Sequence, residues 1–318
     1  MAVDLSGYPR VVLGQWPTAL EDCPRLTEAL GGPRILVKRD DVNGLGVGGN
    51  KLRKLEFLIG EARESGVDTV ITFGALQSNH ARQTAAVCAK LGLQCELILT
   101  KSVPRSDVAY ERSGNVLLDN LYGANVHICD TEEETVATYE RLAAREKTAT
   151  FPVGGSNETG ILGYVAATAE LHAQLASISK IVVPVGSAGT AAGVAAGICL
   201  LDWPVTLVAA CVSHTADESR ADITRLASAV ANLDGLDLLI TDRAVGPGYG
   251  IPTAEMWGAL RLFARTEGIT LDPVYSGKAA AAMVDMIRNG EIGADETIVF
   301  LHTGGVPGLF AYAPELTG

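Results

Sequence analysis

The chain has 318 residues, 47% hydrophobic and 19% charged, which allows one large or two ordinary domains around a sizeable core. A formal net charge of -12 argues against nucleic-acid and membrane-surface partners, because an acidic surface repels phosphate backbones and anionic lipid. With 35 glycines and only 5% aromatics, the core is expected to be built from Ala, Val, Leu and Ile between tight turns, the texture of an α/β protein.

In chain order, strand-like apolar runs fall at residues 35–38, 69–73, 95–99, 125–128, 149–153, 181–185, 205–210 and 297–301. Helical stretches fall between them at 51–65, 79–91, 115–121, 132–147, 160–176, 189–200, 216–233, 254–266 and 278–289. This alternation predicts open, twisted parallel sheets with helices on both faces. Two such sheets fit the length better than one. No repeat, low-complexity tract or long linker divides the chain. A second domain is therefore expected as an insertion: residues 51–156 within a larger domain of 1–50 plus 157–318. Residues 1–10 are polar, without a secretory apolar core, and no run reaches the ~18 apolar residues of a membrane span. Six cysteines without a C-x-x-C pair, most in apolar runs, read as buried reduced thiols. A cytoplasmic protein is expected. The five histidines are scattered, and no metal-binding spacing occurs.

In parallel α/β sheets, ligands bind beyond the carboxyl ends of strands, where helices begin. Three such junctions stand out. The first is Gly44-Leu45-Gly46-Val47-Gly48-Gly49-Asn50-Lys51. Its glycines let the backbone approach a ligand, and its lysine opens a helix. The positive helix end and desolvation both lower a lysine pKa toward a nucleophilic amine able to form a Schiff base. The plain alternative is a flexible loop with a solvated lysine. The stretch also matches G-x-G-x-x-G, the mark of a nicotinamide oxidoreductase, but the next strand ends in Thr72-Phe73-Gly74-Ala75, without the acidic residue a ribose needs.

The second junction is Gly74-Ala75-Leu76-Gln77-Ser78-Asn79-His80. Exposed N–H groups, the Ser78 hydroxyl and the Asn79 amide would form a carboxylate cradle. Simple helix capping needs only one such residue. The third is Val185-Gly186-Ser187-Ala188-Gly189-Thr190, after a very apolar strand. Its N–H groups and hydroxyls can ring a phosphate, with the helix end supplying the positive potential. A tight turn with close helix–sheet packing is the alternative. Toward the C-terminus, Tyr249 and Tyr275 each stand in a polar loop, and His302-Thr303-Gly304-Gly305 follows the last strand.

The ordered segments Lys38-Arg39-Asp40-Asp41, Gly48-Gly49-Asn50-Lys51-Leu52-Arg53-Lys54-Leu55-Glu56, Gln77-Ser78-Asn79-His80-Ala81-Arg82-Gln83-Thr84, Asp272-Pro273-Val274-Tyr275 and His302-Thr303-Gly304-Gly305 together resemble one family. It is the D-cysteine desulfhydrase and 1-aminocyclopropane-1-carboxylate (ACC) deaminase group of fold-type-II enzymes, similar to tryptophan synthase β, which use pyridoxal phosphate (PLP). The resemblance runs from about Pro33 to Tyr312. It implies that Lys51 carries the cofactor and that Asn50, Asn79, Ser276 and Thr303 contact it. Gly186, Ser187, Ala188, Gly189 and Thr190 would hold the phosphate. Gln77, Ser78, Asn79, His80, Tyr249 and Tyr275 would meet a small amino-acid substrate, with Lys51, Ser78 and the two tyrosines catalytic. A homodimer is implied as well. ACC deaminases typically have Gln-Ser-Asn-Gln, and a glutamate directly after the second tyrosine that pairs with the pyridine nitrogen; this chain has His80 and Ser276 there. That departure favours β-elimination, with D-cysteine giving pyruvate, ammonia and sulfide. L-cysteate sulfo-lyase, ACC deaminase and a biosynthetic enzyme of the same family are the alternatives.

Overall fold

The alternation of apolar strands and helices folds into two sheets in the computed structural model, which describes residues 3–317. The chain opens with β1 (Leu20–Asp22), α1 (Pro24–Leu30) and β2 (Arg34–Arg39), then reaches α2 (Lys51–Glu64) through two 3-10 turns. It continues as β3 (Thr69–Ala75), α3 (Asn79–Leu91), β4 (Gln94–Thr100), α4 (Val108–Arg112), α5 (Gly114–Leu121), β5 (Asn125–Cys129), α6 (Glu132–Ala143) and β6 (Thr148–Phe151). Next come α7 (Glu158–Gln174), β7 (Lys180–Val185), α8 (Gly189–Leu200), β8 (Thr206–Cys211), α9 (Ala216–Ala227) and β9 (Leu238–Thr241). The chain closes with α10 (Ala254–Glu267), α11 (Ser276–Arg288), β10 (Thr297–His302), α12 (Val306–Ala311) and α13 (Ala313–Thr317).

Strands β3 to β6 form a four-stranded parallel sheet in the order β5-β4-β3-β6. The other strands form a six-stranded sheet, β1-β2-β10-β7-β8-β9, parallel except for β1. The chain thus leaves the larger sheet after β2, builds the whole smaller sheet and returns at β7. β1 and β9 were not expected from the sequence. Both are short edge strands, whose few residues carry too little alternation to be seen.

The local causes are plain. β7, β8 and β10 are buried on both faces, so they read as continuous apolar runs. α8 is buried on all sides and built of small residues. A Cβ on Gly193 would stand 2.4 Å from the Ile161 carbonyl oxygen, so α7 and α8 touch at backbone distance only because glycine is there. β6 stops at Phe151 because Pro152 has no N–H for the ladder. The turn that follows, Val153–Gly155, faces the ligand site instead of extending the strand.

A buried charge network ties α2 to β2 and α7. Arg53 donates to Asp40 at 2.7 and 2.8 Å and to Glu170 at 2.9 and 3.0 Å. Lys38 pairs with Glu170, and the Tyr164 hydroxyl donates to Asp40 at 2.6 Å. Among the described residues no helix is long and apolar enough to cross a membrane.

Candidate active site

A cavity of about 570 Å³ opens at the carboxyl ends of strands from both sheets. Asn50 and Lys51 line it from the loop after β2, and Gly74, Ala75, Ser78, Asn79 and His80 from the loop after β3. Gly186, Ser187, Ala188 and Thr190 enter after β7, Ser213 and His214 after β8, and Thr303 after β10. Tyr249 and Tyr275 complete one wall. The predicted residues are thus brought together except for three. Gln77, Gly189 and Ser276 are not in the cavity wall.

Lys51 sits at the first position of α2, half-buried, and burial lowers its pKa to about 8. No carboxylate pairs with it. The glycine loop before it is built for close approach: at Gly48, φ is +67° and a Cβ would stand 2.0 Å from the Asp41 carbonyl oxygen. Buried Arg82 clamps this loop by donating to the carbonyls of Gly46 and Gly48. Asn50 stitches it to two other junctions: its side chain donates to Thr190 Oγ1 at 2.9 Å, and its N–H to the Thr303 carbonyl at 3.0 Å.

The loop after β7 is an anion cradle. Ala188 takes φ +59°, and α8 begins with no side-chain cap; the Gly189 N–H turns back to the Ser187 carbonyl at 2.7 Å, and the N–H groups of Thr190 and Ala191 are left for a ligand. Gly189 lies behind this loop, where a Cβ would be 2.4 Å from Ser156 Oγ and 2.7 Å from Lys54 Nζ. Ser156 and Ser187 share a hydroxyl contact of 2.8 Å. Lys54, which no junction in the sequence singles out, stands behind this loop. Lys54 is wholly buried and donates to the Gly154 carbonyl at 3.0 Å and to Ser156 Oγ at 3.1 Å, with no carboxylate. Burial, then Lys51, pushes its pKa well below the usual lysine value. Its one sequence signal is spacing: three residues after Lys51, it lies one helical turn along α2.

Ser78 both caps α3 and lines the cavity. Its Oγ accepts from the Ala81 N–H at 3.1 Å, which leaves its proton free to donate. Asn79 Oδ1 accepts from Asn115 at 2.9 Å, so the Asn79 amide is oriented with its NH2 group available. Asn115, also missed, is wholly buried and accepts from Arg82 Nε at 3.1 Å. Gln77 belongs to this supporting layer. Its amide donates to the Tyr110 and Ser113 carbonyls at 2.6 and 3.0 Å and accepts from the Asn115 N–H at 2.8 Å. Thr72 spends its one proton on the Phe151 carbonyl at 3.0 Å, so it accepts from His80 Nε2 at 2.9 Å. His80 is therefore the Nε2–H tautomer, with Nδ1 a buried acceptor lacking a partner. Burial, with Lys51 and Lys54 nearby, keeps the ring neutral.

The Tyr249 and Tyr275 hydroxyls meet at 2.8 Å, their rings edge to face with centroids 5.9 Å apart. Burial raises both phenol pKa values, so both stay protonated. Ser276 is withdrawn from the cavity by Asp272: its Oγ donates to Asp272 Oδ1 at 2.5 Å and accepts from the Asp272 N–H at 2.8 Å. The Asp272 carboxylate also accepts the N–H groups of Val274, Tyr275 and Ser276. Thr303 is the hydroxyl left at the wall from that part of the chain. Among the described residues no Asp or Glu lines the cavity.

The model of the pyridoxal-phosphate dependent enzyme family matches residues 11–304. The chain belongs to this family. It is 43% identical to the D-cysteine desulfhydrase of Klebsiella pneumoniae subsp. pneumoniae, over 98% of this chain and 99% of the relative. It is equally 43% identical to that of Salmonella choleraesuis, over 98% of each. Among solved structures, an ACC deaminase homologue superposes with a TM-score of 0.86 at 36% identity, covering 98% of this chain and 96% of that one. The cofactor of the family is PLP, and the cavity fits it on its own evidence. It has an uncapped helix end that could take the phosphate, with buried Lys54 behind it, and Lys51 at its wall could meet the aldehyde.

Proposed function

We propose that this PLP enzyme is a β-elimination lyase. It acts on a small amino acid with a leaving group on the β-carbon, D-cysteine first, consuming one water to give pyruvate, ammonia and sulfide. The absence of a carboxylate from the cavity wall carries this reading. The bound cofactor supplies an electron sink for the α-carbon, and a wall without carboxylates leaves that sink weak, which suits prompt loss of a β-substituent better than ring opening. The full-length identity to proteins named D-cysteine desulfhydrase supports the same substrate.

The residues then divide the work. Lys51 would anchor the cofactor, and its Nζ, once free, would take the α-proton as a general base. Desolvation suits it to that task, since an amine with a pKa of about 8 is partly neutral near pH 7. The Ser78 hydroxyl and the N-terminus of α3 would hold the substrate carboxylate, and the Asn79 amide, oriented by Asn115, would donate to the cofactor. The Gly186–Thr190 loop, with Lys54 behind it, would hold the phosphate. Tyr249 and Tyr275 flank the substrate as neutral donors. Keto acid should appear when pure enzyme meets D-cysteine, more slowly with L-cysteate, and not with ACC. Keto acid from ACC alone would overturn the reading.

We further propose that residues 1–50 with 157–318 act as the larger domain and 51–156 as the smaller; the return of the chain at β7 supports this. A homodimer is supported by exposed Val108, Leu117, Leu121 and Phe310 on α4, α5 and α12, which pack together. The cysteines are free thiols, which suits a reducing cytoplasm.

A further inference from the structure

Lys278 lies on α11, three residues after Tyr275, and is wholly buried. Its ammonium has no carboxylate partner. It donates instead to three backbone carbonyls, Val245 at 2.6 Å, Gly248 at 2.7 Å and Val212 at 3.4 Å. A buried cation without a counter-ion is costly, and carbonyl dipoles converging on one point repel each other unless a cation sits among them. The arrangement persists because each half satisfies the other.

The three carbonyls belong to the substrate end of the cavity. Val212 precedes Ser213 and His214, and Val245 and Gly248 bracket the approach to Tyr249. Apart from the packing of Ala244 and Tyr249 against the cores, the loop around Tyr249 is held by few hydrogen bonds among the described residues. It has no strand or helix, and three of its glycines take positive φ: Gly246 at +63°, Gly248 at +149° and Gly250 at +70°. Its other ties are two backbone bonds, Val245 to Asp242 at 3.1 Å and Ile251 to Gly248 at 3.3 Å, and the Tyr312 hydroxyl on the Gly250 carbonyl. Tyr275, on the same segment as Lys278, meets Tyr249 hydroxyl to hydroxyl.

We propose that Lys278 is the positioning residue of the substrate end: by holding the carbonyls of Val212, Val245 and Gly248 it fixes Tyr249 and the Ser213–His214 turn against Tyr275. It touches neither cofactor nor substrate and acts through the loop. Burial brings its pKa to about 8, as expected for a cation held by dipoles alone. The inference rests on the lyase reading for its substrate, and on geometry for the rest.

The test uses the purified holoenzyme with Lys278→Met, which keeps the stem and removes the charge. The reducible cofactor absorbance should be unchanged, because none of the three carbonyls that Lys278 holds belongs to Lys51 or to the Gly186–Thr190 loop. The KM for D-cysteine should rise at least about 10-fold, with a smaller fall in kcat. Hydrogen exchange should quicken at residues 244–251 and not at 186–192. In a double variant with Tyr249→Phe the losses should not multiply, since both act at one point. Unchanged KM and unchanged loop exchange, or fully multiplicative losses, would overturn the proposal. Should Lys278→Met fail to fold, Lys278→Gln, which keeps two donors, carries the same readouts with a smaller expected change, and no change would again overturn it. If wild type makes no keto acid from D-cysteine, the lyase reading fails, while the exchange data still decide the role of Lys278.

Discussion

Helix α2 buries cations on two sides, and the two sides are built on opposite rules. Arg53 meets Asp40 and Glu170 through direct charged hydrogen bonds. Burial alone would lower its pKa, but the two carboxylates outweigh burial and raise it. Lys51, at the cavity wall, and Lys54, buried behind the loop at Gly189, have no carboxylate, and burial lowers both. The difference separates structural charge from chemical charge. A paired cation holds elements together and is indifferent to ligand. One without a carboxylate is costly to keep charged: where carbonyls converge on it, as at Lys278, it is held by dipoles, and where it faces a ligand site, as at Lys51, the lowered pKa favours a reactive amine.

Several substitutions would break or sharpen this contrast. Lys51→Ala should lower keto-acid formation by at least about 10²-fold, the usual worth of a general base, and should abolish the borohydride-reducible chromophore. A variant that kept that chromophore would refute the anchor assignment. On the paired side, Asp40→Ala should leave Arg53 buried and short of a partner, costing about 3–5 kcal/mol of stability by denaturant unfolding. The pH dependence has a definite sign. Burial raises the Asp40 pKa, but Arg53, Tyr164 and Lys38 together bring it below the ordinary value. Its contribution is thus complete above the ordinary carboxylate range and lost as the pH falls through the lowered pKa. An unfolding midpoint that stayed flat through acid titration would contradict this.

Lys54→Met should leave the fold intact and weaken PLP retention about 10- to 100-fold, the worth of one hydrogen bond to a charged group; dialysis against buffer with absorbance monitoring reads it. Uptake of PLP by apoenzyme should quicken with pH up to about 8, where Lys51 becomes the neutral amine, and level off above. A rate independent of pH between 6 and 8 would count against a desolvated Lys51. The smallest effect is expected at the exposed Arg225–Asp222 pair, 3.0 Å apart, where Arg225→Ala should change stability by less than about 0.5 kcal/mol.

Much of the site was legible because its residues cluster at strand-to-helix junctions, where local chemistry is unusual. Lys51, Ser78, Asn79 and the Gly186–Thr190 loop could be singled out from their neighbours in sequence alone. Ser276 was chosen by its place after Tyr275, yet its hydroxyl is committed to Asp272, four residues earlier. The argument it carried, a ring nitrogen without a carboxylate, now rests on the whole cavity wall. Asn115 and Lys54 escaped notice because a buried amide and a helical lysine look ordinary until their partners are known. α6 and α9 end at Ala143 and Ala227, short of the expected ends, because helical composition outlasts the tertiary contacts that hold a helix.

What the sequence by itself determined is the alternating order of strands and helices, the continuous apolar strands of a doubly covered sheet, and the chemistry of each junction. These depend on residues within a few positions of one another. Only the tertiary structure decided which buried charges are paired. Lys54 reaches a carbonyl 100 residues away, Arg53 a carboxylate 117 away, and Lys278 a carbonyl 66 away. Whether a buried cation meets a carboxylate or a carbonyl depends on which distant oxygen the fold sets beside it, and no local pattern encodes that choice.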